Sequence, residues 1–177
     1  MPDRAFQINE PAAALRDSAK ADAAPAAELP YRAPLGPVVD RQLATSRRNA
    51  TPLAVIALSL DGVDSIRERY GPRVENQLLY AAWNRLRGRL RATDLPVRIG
   101  ETEFGVVLPD AAGATAAIVD ARLMDSLSQP YGIGALEVVL SARVGVAVYP
   151  QSATTGEVLA TAARQVMLTR VTRRQVK

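Results

Sequence analysis

The order of elements along this chain predicts an α+β (mixed α/β) domain, with helices flanking one central antiparallel or mixed sheet. Three observations carry that expectation. Leu53–Leu60, LAVIALSL, is an almost unbroken apolar run, as a strand buried on both faces requires. Pro96–Ile99 and Glu103–Leu108 form two strand-like runs around the turn Gly100-Glu101-Thr102. Helical spacing fills the stretches between the strands, and a sheet with one apolar face needs such helices to cover it.

The elements follow in order. Residues 1–37 hold half of the chain's 12 prolines and many alanines, so they are expected to be a flexible extension that tethers or docks, with a short helix allowed at Pro11–Ala21. Residues 38–177 are expected to form the folded domain. Val38–Asn49 has Val39, Leu43 and Ser46 on one side and reads as a helix. Asp61-Gly62 ends the Leu53–Leu60 strand, and a short helix Val63–Tyr70 stops at Gly71-Pro72. A longer helix, Val74–Arg91, carries Leu78, Leu79, Ala82, Leu86 and Leu90 on one face. Trp83 and Tyr80 are expected to pack on the sheet. After the hairpin, Ala114–Leu127 reads as a helix, Gln129-Pro130-Tyr131-Gly132 as a loop, and Leu136–Leu140 and Ala142–Tyr149 as strands. Thr155–Thr169 is the last helix, followed by the basic tail Arg170–Lys177.

Composition restricts the chemistry. The 177 residues are 48% apolar and 23% charged, typical of a folded domain, and include neither Cys nor His. Disulfide scaffolds, Cys/His zinc sites, thiol nucleophiles and Ser-His-Asp arrangements are thereby excluded. Carboxylates, hydroxyls, Arg, Lys and backbone groups remain. Lys20 and Lys177 are the only lysines, so the net charge of +4 rests on Arg. Arg offers a planar fork for phosphate, carboxylate or guanine edges, although a genome rich in G and C gives the same bias. The basic tail lacks interleaved aromatic residues, which argues against DNA or RNA as a partner. Neither a signal-peptide core nor a membrane-spanning run occurs, and a cytoplasmic location is the simplest expectation.

Arg98-Ile99-Gly100-Glu101-Thr102-Glu103-Phe104, followed by GVVLP, closely resembles the signature hairpin of the GGDEF family, the diguanylate cyclases. LAVIALSLDGVDSI is similar to the family's first strand and its aspartate-bearing exit, and SARVGVAVYP matches its late strand. The resemblance runs from about Val38 to Arg174. It implies the palm-like sheet shared with nucleotidyl cyclases and polymerases.

Family members join two GTP molecules into cyclic di-GMP with divalent ions held by carboxylates. The resemblance puts Ser59 and Thr102 at the two metal-ligand positions, and a neutral hydroxyl is a poor substitute for carboxylate toward Mg²⁺. Arg67 and Asn76 stand at the guanine-reading positions, Val63-Asp64 at the phosphate-lining pair, and Glu101 replaces the second glycine. Glu103, Phe104, Arg170 and Arg174 are retained. The expectation is a degenerate site: no enzyme, no metal and no cofactor. Asp61 with Glu103 as a rescued metal pair, and hence residual cyclase activity, is the opposing reading.

The family's product-binding inhibitory site has Arg-x-x-Asp ending five residues before the signature. Arg91-Ala92-Thr93-Asp94 has that spacing, and Arg122 falls at the position of the completing Arg. An Arg fork bonds guanine O6 and N7, a carboxylate accepts from guanine N–H groups, and a second guanidinium stacks on a base or neutralises phosphate. The plain alternative is an i,i+3 pair of Arg91 and Asp94 at a helix end. The expected function is a cyclic di-GMP receptor that regulates an unidentified protein partner, with a homodimer, ligand-bridged or not, as a further form. The competing class is a structural interaction module without a ligand.

Overall fold

The computed structural model describes residues 7–9 and 28–170. Its main sheet has the order β3 (Leu95–Arg98), β4 (Glu103–Pro109), β2 (Leu53–Asp61), β7 (Ser141–Tyr149), and every neighbouring pair is antiparallel. The apolar run thus occupies an interior strand, where both of its faces must be covered. Odd-numbered Leu53, Val55 and Ala57 pack with α1 (Leu35–Asn49) and α4 (Gly156–Thr169). Even-numbered Ala54, Ile56, Leu58 and Leu60 pack with α2 (Val63–Arg87) and α3 (Gly113–Leu127). This period-two partition follows from strand geometry.

The face toward α1 and α4 depends on close approach. A Cβ on Gly145 of β7 would meet the Ala163 carbonyl and the Met167 amide of α4, so that helix lies directly on the strand. Asp40 of α1 accepts a hydrogen bond from Gly156 N at 2.7 Å and thereby satisfies a free donor at the α4 N-terminus. Gly71 interrupts α2 with φ 84° and ψ 170°, and Pro72 starts its second segment. The two helices expected on either side of Gly71-Pro72 are therefore present as one kinked element.

Several expectations change. The first helix begins at Leu35, already buried, rather than at Val38. Within the extension expected to be flexible, Gln7–Asn9 forms β1, antiparallel to β6 (Leu136–Val139). Tyr131–Ile133, expected as loop, is β5 on the other edge of β6, giving a small sheet of order β1-β6-β5. Helix α2 stops at Arg87, short of Arg91. Trp83 packs on Phe104 with ring centroids 5.7 Å apart, but Tyr80 is exposed. The helix at Pro11–Ala21 and the tail beyond Arg170 lie outside the described residues. Among the described residues no helix is long and apolar enough to cross a membrane.

Candidate functional site

At one end of the central sheet, strand pairing aligns the residues that sequence reasoning singled out. Ser59 lies opposite Glu103 on one side and opposite Arg143 on the other. Directly opposed residues share a face, so all three point toward the α1 and α4 side. Ser59 is buried there. Asp61, two residues on, joins the same face. Arg143 donates to it through Nε at 2.9 and 3.1 Å and through Nη2 at 2.7 Å. This two-pronged contact holds the Arg143 pKa above its ordinary value, with the Asp61 hydrogen bonds as the leading cause. Glu103 accepts from Arg164 of α4 at 2.8 Å. Both carboxylates nearest Ser59 therefore face a guanidinium.

The signature turn is closed by backbone. Ile99 N and Gly100 N donate to Glu103 O at 3.0 and 3.1 Å, and Leu60 N donates to Thr102 O at 3.0 Å. Thr102 is thus tied to the end of β2 beside Ser59. Glu101 accepts from Arg32 at 3.3 Å. Gly62, with φ 94°, swings the chain into α2, burying Val63 and leaving Asp64 exposed. Arg67 pairs across the kink with Glu75 at 3.6 Å. Asn76 sits one residue farther, its Oδ1 buried without a hydrogen-bond partner. Arg170 turns to α3, where it bonds Asp120 at 2.8 Å, and Arg174 lies outside the described residues.

Arg143 and Arg164 escaped sequence reasoning. Arg143 is the charged residue within an otherwise apolar strand, and period two places it on the Ser59 face; its partner lies 82 positions away. Arg164 carries no comparable signal.

A second cluster lies where α2 meets α3. Arg85 donates to the Ser126, Gln129 and Pro130 carbonyls at 3.1, 2.6 and 2.8 Å, and its guanidinium stands 3.7 Å above the Tyr131 ring. Arg89 Nε reaches Ser126 Oγ at 3.0 Å. Four donations from two arginines fasten the end of α2 to the end of α3. The chain then turns: Asp94 N donates to Arg91 O at 3.1 Å, and Arg91 N donates to Asp94 Oδ2 at 2.7 Å. The i,i+3 helix pair considered from sequence is replaced by a turn in which Asp94, buried, holds the Arg91 backbone. The Arg91 and Arg122 side chains are exposed and make no hydrogen bond or ion pair among the described residues. Arg122 lies one helical turn before Ser126, hence on the side of α3 that the α2 end approaches.

Burial pushes the Tyr131 phenol up to about 12, against the opposing effect of Arg85. Its hydroxyl donates to Leu127 O at 2.9 Å.

The architecture matches solved domains. That of TpbB (YfiN) from Pseudomonas aeruginosa superposes with a TM-score of 0.75 at 31% identity, covering 82% of this chain and 86% of that one. The domain of DgcB from Caulobacter crescentus, solved in complex with c-di-GMP, shares the fold at 14% identity and TM-score 0.64, over 75% of this chain and 79% of that one. By sequence, the chain is 33% identical over 129 residues to the diguanylate cyclase TpbB of Pseudomonas aeruginosa, covering 72% of this chain and 30% of that protein. It is also 32% identical over 123 residues to the bifunctional diguanylate cyclase/cyclic di-GMP phosphodiesterase MucR of the same organism, covering 70% of this chain and 18% of that protein. The chain therefore spans less than a third of these curated relatives. The family model "Diguanylate cyclase, GGDEF domain" matches residues 22–175. Hairpin, sheet order and both clusters thus have a common setting: the chain belongs to the GGDEF family.

Proposed function

We propose that this domain is a non-catalytic member of its family that binds cyclic di-GMP at Arg91, Asp94 and Arg122 and transmits occupancy to a protein partner. One observation carries the reading. Two exposed guanidinia without partners among the described residues stand on elements that Arg85 and Arg89 fasten together. A cyclic dinucleotide offers guanine edges and phosphates to such a pair, while Asp94, fixed by the Arg91 amide, limits where the loop can go. A solved relative of the same fold, DgcB, binds c-di-GMP, and another, SiaD, is solved with its activator SiaC, which supports both ligand and partner.

The donor set at Ser59 argues against cyclisation. Magnesium requires anionic oxygen with room for water. Ser59 and Thr102 offer hydroxyls, while Asp61 and Glu103 are engaged by Arg143 and Arg164. A metal there would have to displace two guanidinia, so the residues present do not fit the ion.

Calorimetric titration of the purified chain with cyclic di-GMP, beside GTP and Mg²⁺, tests the proposal. Saturable binding of the dinucleotide, weakened by about tenfold to a hundredfold in Arg91→Ala, is expected, without GTP turnover. Binding undiminished by Arg91→Ala would remove the site, and cyclic di-GMP formation from GTP would remove the non-catalytic reading. The competing interaction module has one observation in its favour, the internal engagement of Asp94; it predicts partner capture that is indifferent to the dinucleotide.

A further inference from the structure

The small sheet is completed by a strand from far away in the chain. Gln7–Asn9 lie on β6 in antiparallel register, with Gln7 opposite Val139, Ile8 opposite Val138 and Asn9 opposite Glu137. Residues 10–27 separate this strand from the rest of the described chain. A strand of three residues makes few ladder bonds, and its pairing closes the connection 10–27 onto the folded domain, which chain entropy opposes. Such a strand belongs to the low-stability end of a fold, where docked and undocked states exchange.

The row that receives β1 runs on to the α2–α3 corner. Tyr131 of β5 also lies opposite Val138, so Ile8, Val138 and Tyr131 occupy one row across three strands. Val138 and Tyr131 are both buried. The Tyr131 ring carries the Arg85 guanidinium at 3.7 Å, and its hydroxyl bonds the Leu127 carbonyl at the end of α3. Arg85 in turn holds the Ser126, Gln129 and Pro130 carbonyls, so the ends of α2 and α3 and the approach to β5 meet on one side chain. Packed interiors leave little free volume, so a displacement of the row moves the ring and, with it, the guanidinium.

We propose that β1 is a strap whose docking on β6 and cyclic di-GMP binding at Arg91, Asp94 and Arg122 favour each other, with Tyr131 and Arg85 as the link; this rests on the dinucleotide reading above. Docked β1 fixes the row that seats Tyr131. A seated Tyr131 keeps Arg85 where it fastens the helix ends that present Arg91 and Arg122. A ligand spanning those two arginines binds best to the fastened corner and so draws β1 onto β6. Linkage is reciprocal: the factor by which the strap raises ligand affinity is the factor by which the ligand favours strap docking. An undocked strap leaves β6 an open edge, the kind of surface that pairs with a strand of another chain.

Hydrogen exchange followed by NMR on the full chain tests this in two steps. Without ligand, Arg85→Gln and, separately, Tyr131→Leu should speed exchange of the paired amides of residues 7–9 and 137–139 by about fivefold or more, while β2 amides stay protected and show that the fold is intact. Unchanged exchange at residues 7–9 in both variants overturns the link whether or not the dinucleotide binds. With ligand, cyclic di-GMP should slow the same amides of the unmodified chain by a similar factor. The double variant Ile8→Pro with Asn9→Pro removes one bonding amide, whichever of the two faces β6, and should weaken the dinucleotide by that factor. Equal affinity in the double variant overturns the strap. A failure of the unmodified chain to bind cyclic di-GMP overturns the proposal through the reading it rests on, and is distinct from unchanged exchange in Arg85→Gln.

Discussion

The end of β2 and the α2–α3 corner spend the same residue type in opposite ways. Around Ser59, Arg143 and Arg164 are each consumed by a carboxylate of the domain itself. At the corner, Arg85 and Arg89 are consumed by carbonyls and a hydroxyl, which leaves Arg91 and Arg122 presented to solvent. A guanidinium already facing Asp or Glu has little left for a phosphate, whereas an exposed one on a fastened frame is organised for a ligand. The abundance of Arg therefore says little about binding; the partners of each one decide it.

The contrast can be broken at several points. Arg91→Ala should lower cyclic di-GMP affinity by about tenfold to a hundredfold, the value of one well-placed fork on a guanine edge, while calorimetry shows an unchanged thermal midpoint. A pH series on unfolding tests how the corner is anchored. Tyr131 ionises near 10 when unfolded and about 12 when folded, so the unfolded state releases its proton first. Its contribution is complete below pH 10 and declines as pH rises to 12, by on the order of 2 kcal/mol. A urea series showing no loss over that window that Tyr131→Phe abolishes would remove this anchor.

Asp61→Ala should cost about 1–2 kcal/mol in urea denaturation, between exposed and buried ion pairs, and leave dinucleotide binding unaltered. A double-mutant cycle with Arg143→Ala isolates the pair, and additivity would mean that it contributes nothing. Arg164→Gln should show the smallest effect, below about 1 kcal/mol, because that guanidinium is half exposed. A larger loss would mark the Glu103 pair as part of the frame.

How much of this was legible in the sequence differs by region. The apolar run at Leu53–Leu60 announces an interior strand because no other setting tolerates it, and Gly71-Pro72 marks the kink because only glycine adopts that φ readily. β5 was hidden by Pro130, Tyr131 and Gly132, which read as a turn; its strand character comes from pairing with β6. The end of α2 was misplaced because Leu90 continues the helical spacing past the turn. Ser59 and Thr102 were visible as positions in a pattern. The pairing of Asp61 with Arg143 was not, because register between distant strands creates it, and neither residue's neighbours encode it.

The small sheet has a temporal consequence. Its β1 strand, Gln7–Asn9, precedes its partner, residues 137–139, by about 130 positions, a pairing of high contact order. On a ribosome residues 7–9 emerge long before β6 exists, and such a pairing forms after the local hairpin and helices. During that interval the β1 strand is available to chaperones or to other chains, and the β6 edge closes only after residues 137–139 have been made.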